Sequence, residues 1–227
     1  MNTENNNTQP AKENLTLNRD LRIKVLKDGR NYPIRLDRRR TFFPDEWNNL
    51  LKQLREDNKP LFEFMINTGC RIDEALYIRP CDFDFEKNNV RLWKTKTKAK
   101  KGETHGKPRT ISLSTEYTKK AKRWCNNFKP EEFIFKTKTQ SFNELLKRAL
   151  VRSGIKDPYN FSSHNIRKTH GMYLKALGID IGEICTRLGH DYNTYISHYG
   201  SADLFSDSDM RRIKEILGDL YMRQRRF

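Results

Sequence analysis

A mainly α-helical domain with one small antiparallel β-sheet or hairpin (α+β) is the fold that the sequence predicts, and three observations predict it. Apolar residues recur every three or four positions through most segments after residue 40. Period-two alternation is confined to two short regions, near 22–36 and 88–114. The 227 residues are 35% apolar, with 13 Phe, 9 Tyr and 3 Trp, enough to build a core.

The elements follow in order. Residues 1–14, MNTENNNTQPAKEN, offer almost nothing to bury and read as a disordered tail. In LRIKVLKDGRNYPIRL (21–36) the alternation suits a short strand pair around Asp28 and Gly29, or an arm lying on a partner. Residues 1–40 together make a tail and basic arm, and residues 41–227 the folded domain. In TFFPDEWNNLLKQLRED (41–57), Pro44, Asp45 and Glu46 stand where a helix start favours them, and Trp47, Leu50, Leu51 and Leu54 share a face. KPLFEFMINTGCRIDEALYIRP (59–80) predicts a helix broken at Gly69, then a second that ends by Pro80. NNVRLWKTKTK (88–98) and KPRTISLS (107–114) predict two strands around a glycine-containing loop. Tyr117, Ala121 and Trp124 mark the next helix; Phe142, Leu145, Leu146, Ala149 and Leu150 mark another, from Ser141 to Gly154. From 163 a helical rhythm of Ile166, Tyr173, Leu174, Leu177, Ile181, Ile184 and Leu188 passes a break at Gly178. The last segment, 206–227, places Met210, Ile213, Leu217, Leu220 and Tyr221 opposite basic residues as an amphipathic helix.

Charge narrows the partner. Forty-five Lys and Arg against 29 acids give a net charge of +16, which favours a polyanion, nucleic acid first and an acidic membrane surface second. No apolar run approaches the roughly 20 residues that span a bilayer, and the N-terminus lacks a secretory core, so a cytoplasmic, nucleoid-associated protein is expected. Cys70, Cys81, Cys125 and Cys185 form no C-x-x-C pair and are expected as reduced core thiols, with no metal site.

Four short pieces carry groups suited to a phosphate. In TGCRIDEAL, Arg71 follows a glycine break and can aim a planar donor fork from a fixed helix start. Residues 91–109 hold eight Lys or Arg, among them Lys94, Lys96, Lys98, Lys107 and Arg109, against the single acid Glu103, as a hairpin on a phosphate backbone would require. In SSHNIRKTHG, His164 and Arg167 lie three apart on one helical face. LGHDYNTYISHYG offers His190 with Tyr192, Tyr195 and Tyr199 as possible nucleophiles; the two helical segments around it also fit a helix-turn-helix.

The order of these pieces resembles the catalytic domain of the tyrosine recombinases, or phage-type integrases, over about residues 41–221. Thr-Gly-x-Arg with Glu74 three residues on is similar to the family's first box, HNIR to its second, and LGH to its Leu-Gly-His. The family tyrosine lies nine residues after that histidine, which selects Tyr199. The hairpin-strand lysine corresponds to Lys96, with Lys94 as its rival. The resemblance implies a fold of that type and a metal-free, cofactor-free DNA strand transfer on double-stranded DNA. Tyr199 would attack the scissile phosphate, Arg71 and Arg167 would hold its nonbridging oxygens, and His190 and His164 would assist. Lys96 would protonate the leaving 5′-oxygen, and Glu74 would orient the first arginine. It further implies a homo-oligomer, a tetramer on DNA, with scope for an accessory protein, and a prokaryotic, viral or mobile-element origin. Two other classes share parts of this pattern: a non-catalytic DNA-binding regulator and a type IB topoisomerase. Two features depart from the family. Only about 40 residues precede Trp47, too few for the helical core-binding domain most members carry, and the hairpin loop is longer and more basic. The C-terminal helix resembles a segment that docks on a neighbouring subunit, the alternative being a helix packed on its own domain.

Overall fold

A computed structural model describes residues 22–25, 31–34, 41–93, 108–155, 158–199 and 205–221. Nine helices and two small sheets occur among them: β1 Arg22–Val25, β2 Asn31–Ile34, α1 Pro44–Lys52, α2 Lys59–Thr68, α3 Ile72–Ala75, β3 Phe83–Asp84, β4 Asn89–Leu92, β5 Arg109–Ser112, α4 Thr115–Cys125, α5 Thr139–Arg152, α6 Ser163–Ala176, α7 Ile181–Leu188, α8 Tyr192–Tyr199 and α9 Asp207–Leu217. The expected strand pair forms, β1 and β2 running antiparallel with Arg22 opposite Ile34. The N-terminal tail lies outside the described residues.

Helix α6 is the centre of the domain. Every residue from Asn165 to Leu174 is buried, and α2, α5, α7 and α8 pack around it. A helix apolar on one stripe only could not be covered on all sides, so α6 carries polar residues that find partners inside. Thr169 Oγ1 accepts from the Phe42 amide at 3.0 Å, and Tyr173 Oη donates to the Phe42 carbonyl at 3.1 Å. These bonds fasten the segment before α1 to α6. Helix α1 starts as its sequence dictates, with the Phe43 amide donating to Glu46 Oε2 at 3.0 Å, and its Trp47 and Leu50 are fully covered.

The second sheet has three antiparallel strands in the order β3-β4-β5. Val90 pairs with Ile111 and Leu92 with Arg109, and Val90, Leu92 and Ile111 face the core. The two-residue strand β3 was absent from the sequence expectation, because so short a segment shows no period. Three other expectations change. The helix expected to run to Pro80 is the single turn α3, after which the Ile78 carbonyl is taken by the Ile134 amide. The final helix stops at Gly218, which has a φ of +63°, and a separate 3₁₀ turn covers Gly218–Tyr221. Of the cysteines, Cys70 and Cys125 are buried, whereas Cys81 is exposed and Cys185 half-buried, so only two are core thiols. Helix α9 buries Ile213 and Leu217 against its own domain, chiefly on α1.

Candidate active site

The site is built at three glycine-dependent turns. At the end of α2, Thr68 Oγ1 donates back to the Phe64 carbonyl at 2.7 Å, and Gly69 turns the chain at a φ of +65°. A Cβ on Gly69 would lie 2.4 Å from His170 Cδ2 and 2.8 Å from Leu188 Cδ2, so both sterics and backbone demand glycine. The chain re-enters a helix at Arg71, whose amide donates to Glu74 Oε2 at 2.7 Å and whose Nη1 donates to Oε1 at 3.1 Å. Glu74 thereby caps α3 and fixes the arginine next to it.

Glu74 also receives both ends of another guanidinium. Arg109, on β5, donates from Nη1 to Oε1 at 2.8 Å and from Nη2 to Oε2 at 2.7 Å, and its Nε donates to the Arg187 carbonyl at 3.0 Å. The Glu74 side chain is 2% exposed. Burial alone would raise its pKa, but the hydrogen bonds and charge of Arg109, helped by Arg71 and Arg167, win, and the carboxyl sits below its ordinary range. Neighbouring Cys70 goes the other way: burial, reinforced by Glu74, pushes its thiol up to about 12.

Arg167, on α6, is fully buried. Its Nη1 donates to the Gly69 carbonyl at 2.7 Å and lies 3.9 Å from Glu74 Oε2, while Nη2 donates to the Leu188 carbonyl and lies 3.0 Å from His190 Nε2. Burial and the charge of Arg71 bring the guanidinium down to about 10, so it stays cationic at neutral pH. His190 reaches it because Gly189 ends α7 in the left-handed region (φ +58°), with the His190 amide returning to the Cys185 carbonyl at 3.0 Å. The Tyr199 ring, 1% exposed, lies 6.2 Å from the His190 ring and stacks on Tyr195 at 5.4 Å. It fits because residue 171 is glycine: a Cβ there would stand 2.7 Å from Tyr199 Cε1. Lys175 Nζ donates to the Tyr199 carbonyl at 3.0 Å and fastens the end of α8 to α6.

Arg71, Glu74, Arg167, His190 and Tyr199 are thus brought to one place from four separate segments. His164 is exposed in the first turn of α6, one turn before Arg167. Lys94, Lys96, Lys98 and Lys107 lie outside the described residues. Arg109, expected among the residues that contact DNA, is instead committed to Glu74, because it alternates in phase with Ile111 on the inward face of β5. Lys168 and His170, expected to be solvated, are both buried.

The phage integrase family model matches residues 40–204, nearly three quarters of the chain. The chain belongs to the phage integrase family. A curated relative in this family's chemistry, tyrosine recombinase XerA of Saccharolobus solfataricus, is 25% identical over 136 residues, covering 60% of this chain and 43% of the relative. The chain therefore spans less than half of that protein. Among solved structures, XerA recombinase superposes with a TM-score of 0.58 at 16% identity, over 77% of this chain and 64% of that one. The catalytic domain of bacteriophage HP1 integrase gives 0.54 at 18%, over 79% and 95%. The Tn1549 transposon integrase, solved in complex with transposon right end DNA, gives 0.58 at 18%, over 78% and 65%. The phage integrase catalytic fold is shared with all three.

Within that fold, sequence reasoning missed a buried polar pillar behind the site. His170 Nδ1 lies 2.7 Å from the Ile66 carbonyl, and Arg187 donates from Nε to His170 Nε2 at 3.4 Å and from Nη2 to the Asn67 carbonyl at 3.3 Å. Burial and the charge of Arg187 hold the His170 imidazole well below its ordinary range, so it is neutral. The signal was present: His170 falls four residues after Ile166 and four before Leu174, on the buried stripe of α6.

Proposed function

We infer that this phage integrase family protein is a site-specific DNA recombinase that cleaves and rejoins strands through a 3′-phosphotyrosyl link to Tyr199. The observation that carries the reading is the convergence of Arg71, Arg167 and His190 beside a single tyrosine, with Arg167 Nη2 3.0 Å from His190 Nε2 and the Tyr199 ring next to that histidine. A phosphodiester is attacked slowly because negative charge grows on its nonbridging oxygens; fixed cationic donors offset that growth. Arg71, with 27% of its side chain exposed, and half-buried His190 supply such donors at the mouth of the site. Arg167 holds them in place, and its positive charge sits directly behind them.

Tyr199 Oη would bond to phosphorus as the bond from phosphorus to the 5′-oxygen breaks, and reversal with another 5′-hydroxyl rejoins the strand without ATP. A free phenol has a pKa of about 10 and needs a base to attack near neutrality; His164 or His190 is the candidate proton acceptor. Lys96 is the candidate acid for the leaving 5′-oxygen. Because the Tyr199 ring is buried, reaching a phosphate requires it to leave the pocket over Gly171. Double-stranded DNA is the proposed substrate, bound by a homo-oligomer, with a tetramer joining two sites and room for an accessory protein.

The test is covalent capture. Duplexes retained on the protein from a randomised pool supply a binding site, which is then nicked to make a suicide substrate. A protein-DNA adduct that forms with the parent and Tyr195→Phe but not with Tyr199→Phe is the expected result. An adduct that persists in Tyr199→Phe removes Tyr199 as nucleophile. With a 5′-thio leaving group, which needs no acid, the defect of Lys96→Ala should shrink; an equal defect with both leaving groups removes Lys96 from that role.

A further inference from the structure

A cavity of about 300 Å³ opens on the side of α2 away from Arg71, between α1, α2, α4 and the α9 segment. Its charge is the reverse of the chain's. The protein as a whole carries +16, yet Glu63, Glu116 and Glu215 line this cavity against one cation, Lys120, which is already bound to Glu63 Oε1 at 2.5 Å. Glu116 and Glu215 are exposed at its mouth, whereas the Glu63 side chain is only 13% exposed. Two inner groups lack partners: Glu63 Oε2 and the hydroxyl of Tyr117, a residue 5% exposed, are buried with no hydrogen bond among the described residues. A buried carboxylate oxygen and phenol left unmatched cost free energy unless something fills them.

Among the described residues no three acidic, His or Cys side chains come close enough together to hold a metal ion. The carboxylates are spread along a wall that also carries the indole of Trp47 and the side chain of Ile216. Separated carboxylates on an aromatic and aliphatic wall suit a cation with its own apolar stem, the stem on Trp47 and the head on acid and hydroxyl. The volume stands at the lower end of ligand sites, about 300–1,000 Å³. The far wall is firm: the Thr115 amide donates to Asp219 Oδ1 at 2.6 Å, and a Cβ on Gly218 would meet Ser114 Oγ at 2.8 Å.

We propose that this cavity is a binding site for a linear organic cation, a guanidinium or primary ammonium head on a short alkyl stem, with the head on Glu63 and Tyr117. Two sources share that chemistry: a free small molecule, and an arginine side chain of this chain's own C-terminus, MRQRRF, which follows the 3₁₀ turn beginning at Gly218. Occupancy would be felt at the active site, because Ile66 and Asn67 line the cavity and their carbonyls are the ones held by His170 and Arg187.

Titration calorimetry of the full chain with agmatine, at moderate salt and without DNA, tests this independently of strand transfer. Saturable one-to-one binding is expected, weakened at least tenfold by Glu63→Gln and by the exposed-residue pair Glu116→Gln with Glu215→Gln. Uncharged butylurea should not bind. The triple variant Arg223→Gln, Arg225→Gln, Arg226→Gln distinguishes the sources: agmatine binding at least fivefold tighter than to the parent assigns the cavity to the chain's own arginines, and unchanged binding assigns it to a free cation. Absence of saturable binding to both parent and triple variant overturns the proposal. So does binding that folded Glu116/Glu215 variants retain in full, or that butylurea matches.

Discussion

Replacing Glu74 by Gln keeps the shape of the side chain and removes the charge that three guanidiniums share. Oε1 and Oε2 receive Arg71 N at 2.7 Å, Arg71 Nη1 at 3.1 Å and Arg109 Nη1 and Nη2 at 2.8 and 2.7 Å, with Arg167 Nη1 at 3.9 Å. A glutamine turns an N–H₂ toward at least one of these donors and leaves Arg109, 12% exposed, without its counter-ion. Breaking a buried pair from one side costs about 3–5 kcal/mol, which in a domain of this size lowers Tm by roughly 6–20 °C. Circular-dichroism melts at pH 7 measure it. Adding Arg109→Met to Glu74→Gln should then cost less than Arg109→Met alone, since no stranded cation is created. The pH dependence has a definite sign. The folded carboxyl lies below its ordinary value of 4.5, so its stabilisation is present above about pH 4.5 and is lost as pH falls through the folded pKa; Glu74→Gln lacks that component. Additive effects of the two substitutions, or a parent-like Tm for Glu74→Gln, would refute the buried-pair account.

Other outcomes follow from single contacts. Gly69→Ala and Gly178→Ala share a left-handed φ, but only the former meets atoms within 3 Å; Gly178→Ala should cost about 1–2 kcal/mol of backbone strain and Gly69→Ala at least about 1–3 kcal/mol more from overpacking, read from urea unfolding, and equal costs would remove the steric argument. Gly171→Ala should expel the Tyr199 ring: nitration by tetranitromethane followed by mass spectrometry should find Tyr199 protected in the parent and modified in the variant, with exposed Tyr159 and Tyr192 as internal standards. Neutral His170 has a folded pKa far below 6.5, so the stability it confers is complete above pH 6.5 and falls as the unfolded chain takes up its proton below it; His170→Gln should flatten the melting temperature between pH 7 and pH 5.

The residues that sequence reasoning placed best are those whose role is local. Gly69, Gly189 and the glutamate three residues after Arg71 are required by turn and helix-start geometry, which spacing alone expresses. Helices with long apolar stripes were legible for the same reason, and α3 was not, because one turn has no stripe. What spacing does not express is contact across the chain. Arg109 and Glu74 are 35 residues apart, and nothing near Glu74 announces which of the chain's basic residues will close on it. Half of that pairing was still readable, since Arg109 alternates with Ile111 and Leu113 and so had to point inward. An inward arginine on a strand needs an acid, and only a fold can say which.

The burial of Arg167 sharpens what its motif is for. A residue whose task were only to grip a phosphate would present both Nη atoms to solvent; here they close on the carbonyls of Gly69 and Leu188, the residues that end one motif's helix and precede another motif's histidine. One side chain therefore joins the turn that launches Arg71 to the turn that delivers His190. Lysine could carry the charge, but its single ammonium cannot span two carbonyls in a plane and still face His190 Nε2. Arg167→Lys should accordingly loosen Arg71 and His190 together, and the positive potential behind them is kept while their geometry is lost. That separation of charge from geometry is why the arginine, and not merely a cation, stands at this position.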